Sequence, residues 1–561
     1  MKEPNRKRMP LIQEHGITFI HWSERGHLKV WKELSGHIIC RFGKGPFTKR
    51  LDVEPILTEC FAWMVERFRS LTAGELSSGF YKALVGLYEN STQLMQYVYN
   101  GKGFTHMSTQ EYTQNRSSIR LALERACELE LRRTSDEAPF STRQIELLEE
   151  LLFVGMWAFS FSETIAMEKL MDGCNELSID PDDTMCMAMS HHFSKLMPHI
   201  RQEVERLTSR SIVDKEGMRE LKDALKNCLG VDYDRNAGLV PAYKGAHPSG
   251  FPLLVDTKYE ELVEQFATNS RFALDSTKTF YAGLALTSTS KESLENIIYR
   301  PHSNKRHMAR PVLVWSIEGK QRAVVGPEKW TESIMLIVTN AVQWGQIAEE
   351  WLANPCMKTF VGRKADEHDK ELEDPVEALL KERKVKYSRN VTGLKGKGGS
   401  LTRVDTAGLG EIDFLYLDEE AREVCVVDCK YHRRRDNMVG YSRDYANFLN
   451  NYEPKLKRKV EWYKTNLSLV EEHFRQEYSD STVNLATYKV RGFFIVNTPT
   501  YYSFNGTYRA YTIQEFRELM DGTLKDVQFY IEVGEDIAFI QRPYFRKPIQ
   551  LDFGGLDLTE P

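Results

Sequence analysis

The sequence has no long apolar run. Its longest strongly apolar stretch is about Leu151–Phe161, far short of the roughly 18 residues a membrane-spanning helix needs, so no membrane association is expected. The opening MKEPNRKRMPLIQEHG carries charges but no apolar signal core. Nine cysteines are scattered without a CxxC pair, and the closest two, Cys425 and Cys429, sit inside one apolar run. That usage argues against structural disulfides and zinc fingers and for a reducing cytoplasm. Net charge is only -5, so any nucleic-acid surface must be a local patch. There is no internal repeat, no low-complexity tract and no helicase or NTPase motif. Any ATP-driven step would therefore need another subunit.

What is present is an ordinary globular composition. With 41% hydrophobic and 28% charged residues, the chain is not wholly disordered, collagenous or a small disulfide scaffold. Its 561 residues suggest about three to four domains at roughly 100–200 residues each.

The pattern along the chain predicts a multidomain α+β protein. Residues 1–50 read as a small β-rich segment, with ITFIHW, HLKVW and HIICRF as strands. Residues 51–229 read as a helical domain. Within it Ser141 is a predicted N-cap with Gln144 at N3, opening a helix that is apolar nearly all round in its second half. Residues 230–360 are mixed, with a hairpin around Glu318–Gly319 followed by a helix over MLIVTNAVQWGQIAEEWL. A boundary is expected near Val361–Lys370. Residues 361–561 then follow the order α-β-β-β-α-β-α. The first helix of that series is expected to open with Asp374 as N-cap, Pro375 at N1 and Glu377 at N3.

The chemistry concentrates in two of those strands. In GEIDF, alternation puts Glu411 and Asp413 on one face; in VCVVDCKY it puts Asp428 and Lys430 on one face. Two adjacent antiparallel strands would bring Asp413, Asp428 and Lys430 together. An acid and a lysine at the end of an apolar strand are costly to bury unless paired or metal-bound. Carboxylates so placed suit Mg²⁺, which takes oxygen ligands and keeps several waters; Mn²⁺ is an alternative. The chemistry such a site suits is metal-assisted phosphodiester hydrolysis.

This segment resembles the PD-(D/E)XK nuclease superfamily, the restriction-endonuclease-like fold. The matching residues are Asp413 and the triplet Asp428-Cys429-Lys430, with similar element order over about Leu372–Thr498. The resemblance implies a C-terminal α/β domain with a mixed sheet flanked by helices, and catalytic roles for Asp413, Asp428 and Lys430. It implies metal ligation by Asp413 and Asp428, with Glu373 the closest match to a helix-borne glutamate; Glu411 is an alternative. The Pro-Asp usual before the first acid is missing, and Ile412 stands there.

Basic residues flank the strands. Lys395 and Lys397 in the Gly-rich GLKGKGGS loop, and Arg433, Arg434 and Arg435 after the triplet, are the candidate substrate contacts. The run KLKRK (Lys455–Lys459) reads better as a solvated helix face. The loop containing His302, Lys305, Arg306, His307 and Arg310 is a further candidate for contact with nucleic acid. His432 is a possible phosphate contact, and Cys425 and Cys429 read as small buried hydrophobes. A competing triplet, Asp256/Lys258 in LLVDTKYEE, lacks a preceding strand that ends in an acid.

The expected function is a Mg²⁺-dependent endonuclease, with DNA favoured over RNA. It would be cytoplasmic and resemble effectors of prokaryotic restriction or anti-phage defence. The N-terminal region would supply target recognition, homo-oligomerisation or a partner contact. The rival reading is a non-catalytic nucleic-acid-binding or scaffold protein that retains a nuclease-like fold.

Overall fold

A computed structural model describes residues 11–545, apart from 21–24, 135–139, 208–214, 238–244, 246–250, 301–302, 343, 345, 405–407, 436, 527, 534–535 and 541. His302 therefore lies outside the described residues. The described chain is mixed α+β. No helix among the described residues is long and apolar enough to cross a membrane.

The first fifty residues are less β-rich than their pattern suggested. Leu11–Glu14 and Ile17–Ile20 form a hairpin, but Arg25–Phe42 is a helix that takes in HLKVW and HIICRF. Val30, Leu34 and Ile38 are buried from it at helical spacing, and that period outweighs the β propensity of the individual residues. Long helices follow. Thr142–Leu170 begins with the expected capping box, Ser141 against Gln144, and is buried through its second half. Around it packs one apolar core that reaches from Phe19 to Val324. The strands Val312–Ile317 and Lys320–Val325 pair antiparallel across Glu318 and Gly319, both at positive φ. The helix expected after this hairpin is broken: Pro327–Leu336, a π-helical turn Ile337–Val342, then Glu349–Leu352.

Val361–Lys370, where a boundary is expected, lies in the middle of a helix. This helix, α1, runs unbroken over Pro355–Glu382, capped by Asn354, whose side chain accepts from the amides of Cys356 and Met357. Pro375 is thus interior, and Asp374 is no cap but an ion-pair partner of Arg389. An interior proline costs about 3 kcal/mol; packing at both ends outweighs it. Met357, Phe360 and Val361 enter the core of the preceding region, while Leu372, Val376, Leu379 and Leu380 cover the next sheet. A disulfide between Cys228 and Cys356, with Cα atoms 5.4 Å apart, ties α1 to the helix Lys215–Leu229. This corrects the expectation of no structural disulfide; a pair 128 residues apart leaves no spacing signature.

Beyond α1 lies a five-stranded mixed sheet: β1 (Tyr387–Val391), β2 (Ile412–Asp418), β3 (Glu423–Lys430), β4 (Lys489–Val496) and β5 (Arg509–Thr512), in that spatial order. The first three strands are antiparallel neighbours, and β3–β4 and β4–β5 are parallel. Parallel strands need a long crossover. Between β3 and β4 it is made by α2 (Met438–Asn447), α3 (Glu453–Thr465) and α4 (Leu467–Tyr478), with a π-helical turn at Phe448–Tyr452. Helix α5 (Ile513–Met520) follows β5. One sheet face packs on α1 and α5, the other on α3 and α4.

Candidate active site

Register decides which side chains meet. Phe414 of β2 pairs with Val427 of β3; one step further, Asp413 stands across from Asp428. There the ladder gives way to a side-chain bond, because Asp413 Oδ2 accepts from the Cys429 amide at 2.5 Å. Asp428 and Lys430 project to the α3 side of the sheet, shared with Val424 and Val426. The Lys430 Nζ is 3.1 Å from Asp428 Oδ2 and 3.0 Å from the Cys429 carbonyl, and lies 5.3 Å over the Tyr452 ring.

A second lysine joins the pair. Lys459 of α3 places Nζ 3.1 Å from Asp428 Oδ1 and 2.7 Å from the Glu411 carbonyl. The charge run KLKRK predicts a solvated face, yet Lys459 lies on the buried stripe Leu456, Lys459, Val460, Tyr463. The signal was there in the helical period. Its reach depends on the close approach of α3 to β4. Gly492 sits under that contact, where a Cβ would stand 2.3 Å from a Val460 methyl. Lys455, Lys457 and Arg458 are exposed, as a solvated face requires.

The electrostatics follow from this geometry. Desolvation and the Asp428 charge push the Asp413 carboxyl up to about 7. Asp428 is buried more deeply than half-buried Asp413, but Lys430 and Lys459 hold it below the usual carboxylate value. The two aspartates hold Lys430 above the ordinary lysine value against its own desolvation. The pair thus behaves as a dyad with one readily held proton, on Asp413.

The helix-borne acids sit differently. Glu373 does not join the two aspartates: its carboxylate accepts from Arg389 at 2.9 Å, and Asp374 and Glu377 bind the same guanidinium at 2.8 and 2.9 Å. Among the described residues no three His, Cys, Asp or Glu side chains form a metal-holding group. Glu411 is exposed and contributes only its carbonyl. Asp369, one turn before Glu373 on α1, lies in the stretch where a boundary is expected. Its carboxyl is raised by desolvation and by Glu373, against the pull of Lys430.

Of the predicted substrate contacts, Arg435 is committed elsewhere, making a bidentate pair with buried Asp444 at 2.7 Å for each bond. Arg433 donates to Gln346 at 3.4 Å. Arg434 and Lys397 are exposed, and Lys395 is ion-paired with Glu477. His432 is buried against Phe448 and Tyr452, and desolvation pushes it down to about 4; it is a neutral core residue rather than a phosphate contact. Arg306, His307 and Arg310 are likewise interior, at 0%, 2% and 1% exposure, so the loop they belong to offers no basic surface through them. Cys425 is buried and Cys429 half-buried, with both thiols raised mainly by desolvation. The competing Asp256 is a structural ion-pair partner, 2.6 Å from Lys82 and 2.7 Å from Arg322.

Asp413 and Asp428 are the two carboxylates that would have to hold any divalent cation here: Asp413 Oδ1 makes no hydrogen bond among the described residues, whereas both Asp428 oxygens are engaged by Lys430 and Lys459. In comparisons with known proteins, no family model, no curated protein and no solved structure matches this chain.

Proposed function

We propose that the chain is a Mg²⁺-dependent nuclease hydrolysing phosphodiester bonds, with DNA the favoured substrate. The observation that carries this reading is the convergence of Asp413, Asp428 and Lys430 at the ends of two adjoining strands. They lie in a mixed sheet whose third and fourth strands are parallel. Both features accord with the resemblance to the PD-(D/E)XK superfamily.

In this reading Asp413 and Asp428 hold the metal. When bound, the ion polarises a phosphate oxygen and makes water a better nucleophile. Asp413 must first release its proton, so it is the pH-sensitive member of the pair. Lys430 is the more accessible of the two lysines, about one fifth exposed; it orients the attacking water or neutralises charge on the phosphate as the bond breaks. Lys459 is a positioning residue that fixes Asp428 and the backbone at Glu411. The N-terminal region then provides target recognition or a partner contact, as in a restriction or defence effector.

One observation favours the non-catalytic alternative: both Asp428 oxygens are engaged by lysines. The two readings separate in one experiment, incubation of plasmid and single-stranded DNA with the full chain and Mg²⁺ or Mn²⁺. A nuclease cleaves, EDTA stops it, and Asp413→Ala or Asp428→Ala abolishes cleavage with unchanged circular dichroism. DNA retention in a gel shift without cleavage under any metal would leave only binding.

A further inference from the structure

The connection from α2 to α3 is a π-helical turn, Phe448–Tyr452, closed by the Glu453 N–H donating to the Phe448 carbonyl. Its sequence cause is Pro454, which has no N–H to return to the Asn450 carbonyl. Such turns are rare and occur mostly at functional sites. Here one side chain clamps both ends of the turn. Phe448, fully buried, stacks on the Tyr502 ring at 4.5 Å, and the Tyr502 hydroxyl donates to Glu453 at 2.5 Å. Phe448 also stands edge-on to Phe494 at 5.2 Å, and Phe494 is the β4 register partner of Asp428. The turn is thereby fixed against the part of the sheet that carries the candidate site.

Tyr452, the last residue of the turn, is half-buried. Its ring meets Phe448 edge-on at 5.2 Å and lies 6.1 Å from His432. Lys430 Nζ lies over the ring, 5.3 Å from its centre. The Tyr452 hydroxyl makes no hydrogen bond among the described residues, so the ring, not the phenol, makes the contact. The other two close contacts of Lys430, to Asp428 and to the Cys429 carbonyl, lie on its own strand; Tyr452 reaches it from a separate element. A lysine has a flexible four-carbon stem and a strongly hydrated ammonium. With the strand contacts alone, the ammonium could turn outward to water. An aromatic face attracts it, and more strongly where water is partly excluded. Lys459 needs no such restraint: its side chain is 6% exposed, against 22% for Lys430.

We propose that Tyr452 is the positioning residue for Lys430, its ring face holding the ammonium beside Asp428, where the lysine acts on the phosphate. This role rests on the nuclease reading of the site. A ring suits the task better than a third acceptor would. Of the three N–H donors of the ammonium, Asp428 and the Cys429 carbonyl take two. The aromatic face restrains the cation without a lone pair, which leaves the third N–H for water or a phosphate oxygen.

The test is a double-mutant cycle on the full chain. Urea unfolding of wild type, Tyr452→Leu, Lys430→Met and the double variant reads the coupling without metal or substrate. The two substitutions should couple by about three- to tenfold in the unfolding constant. Tyr452→Phe, which keeps the ring, should unfold and cleave as wild type does. In single-turnover cleavage Tyr452→Leu should slow the reaction about tenfold, with unchanged affinity for DNA in Ca²⁺. Added to Lys430→Ala, it should slow the reaction no further, because it acts through that lysine. Pentafluorophenylalanine at position 452 keeps the shape of the ring and inverts its charge distribution. It should reproduce the leucine result, and it takes the place of leucine if that variant does not fold. Additive stabilities, or wild-type cleavage by a folded variant without the ring's negative face, would overturn the proposal. A further loss on top of Lys430→Ala would overturn it in favour of a direct contact with substrate. No cleavage by wild type would defeat the nuclease reading instead, while the unfolding cycle still decides whether the ring holds Lys430.

Discussion

Proton and metal should compete for Asp413, and the competition is visible within a narrow pH range. Desolvation and the opposing Asp428 place its carboxyl near pH 7 instead of 3.8. About one tenth of it is ionised at pH 6 and about nine tenths at pH 8. Metal affinity should therefore weaken about tenfold from pH 8 to pH 6 and level off above pH 8. Calorimetric titration of Mn²⁺ into the full chain at pH 6, 7 and 8 measures this directly. The same shift acts on metal-free stability with the opposite sign. The folded form keeps a proton that the unfolded chain releases near pH 4. This contribution is therefore complete below that pH and is lost as pH rises through about 7. Asp428 works the other way. Lys430 and Lys459 hold it low, so its contribution is present at neutral pH and lost on acidification below its ordinary value. Asp413→Asn should abolish Mn²⁺ binding and remove the loss of metal-free stability between about pH 4 and pH 7. Equal Mn²⁺ affinity at pH 6 and pH 8 would refute the proposal that Asp413 is a half-buried ligand sharing charge with Asp428.

Lys430→Ala should lower the single-turnover cleavage rate by about 10²-fold, with little change in DNA binding measured in Ca²⁺; a loss confined to affinity would make it a phosphate anchor. Lys459→Met leaves Asp428 with one cation and the Glu411 carbonyl without its donor, so urea unfolding should register a cost of about 1–3 kcal/mol. Gly492→Ala forces α3 away from β4; an unchanged urea midpoint would contradict the 2.3 Å approach, for which overpacking predicts about 1–3 kcal/mol. Arg434→Ala and Arg435→Ala should differ in kind. Arg434→Ala should shallow the salt dependence of DNA binding by about 0.9 in log K against log salt if it meets one phosphate. Arg435→Ala, which strands buried Asp444, should cost about 2–3 kcal/mol of stability; reversed phenotypes would mean that the two arginines exchange roles.

The strand pair at the candidate site was legible because it depends on local pattern. Alternation in GEIDF and VCVVDCKY fixes which side chains share a face, and two strands joined by a short turn pair as neighbours. The capping box at Ser141 and the hairpin turn at Glu318–Gly319 were legible for the same reason, since each is decided within four residues. Where local signals had rivals, tertiary packing chose. Asp374-Pro375 reads as a helix start, but apolar contacts at both ends carry α1 straight through it. With the helix continuous, Glu373 turns to Arg389 and Asp369 comes within the influence of Lys430. Charge alone did not reveal which cations face water. Among the five residues of KLKRK, only the helical stripe and the space left by Gly492 send Lys459 inward. Asp444 removes Arg435 from the surface in the same way. The Cys228–Cys356 link joins segments that lie more than a hundred residues apart. No spacing rule reaches across such separations, because what brings those groups together is the burial of the apolar surface between them.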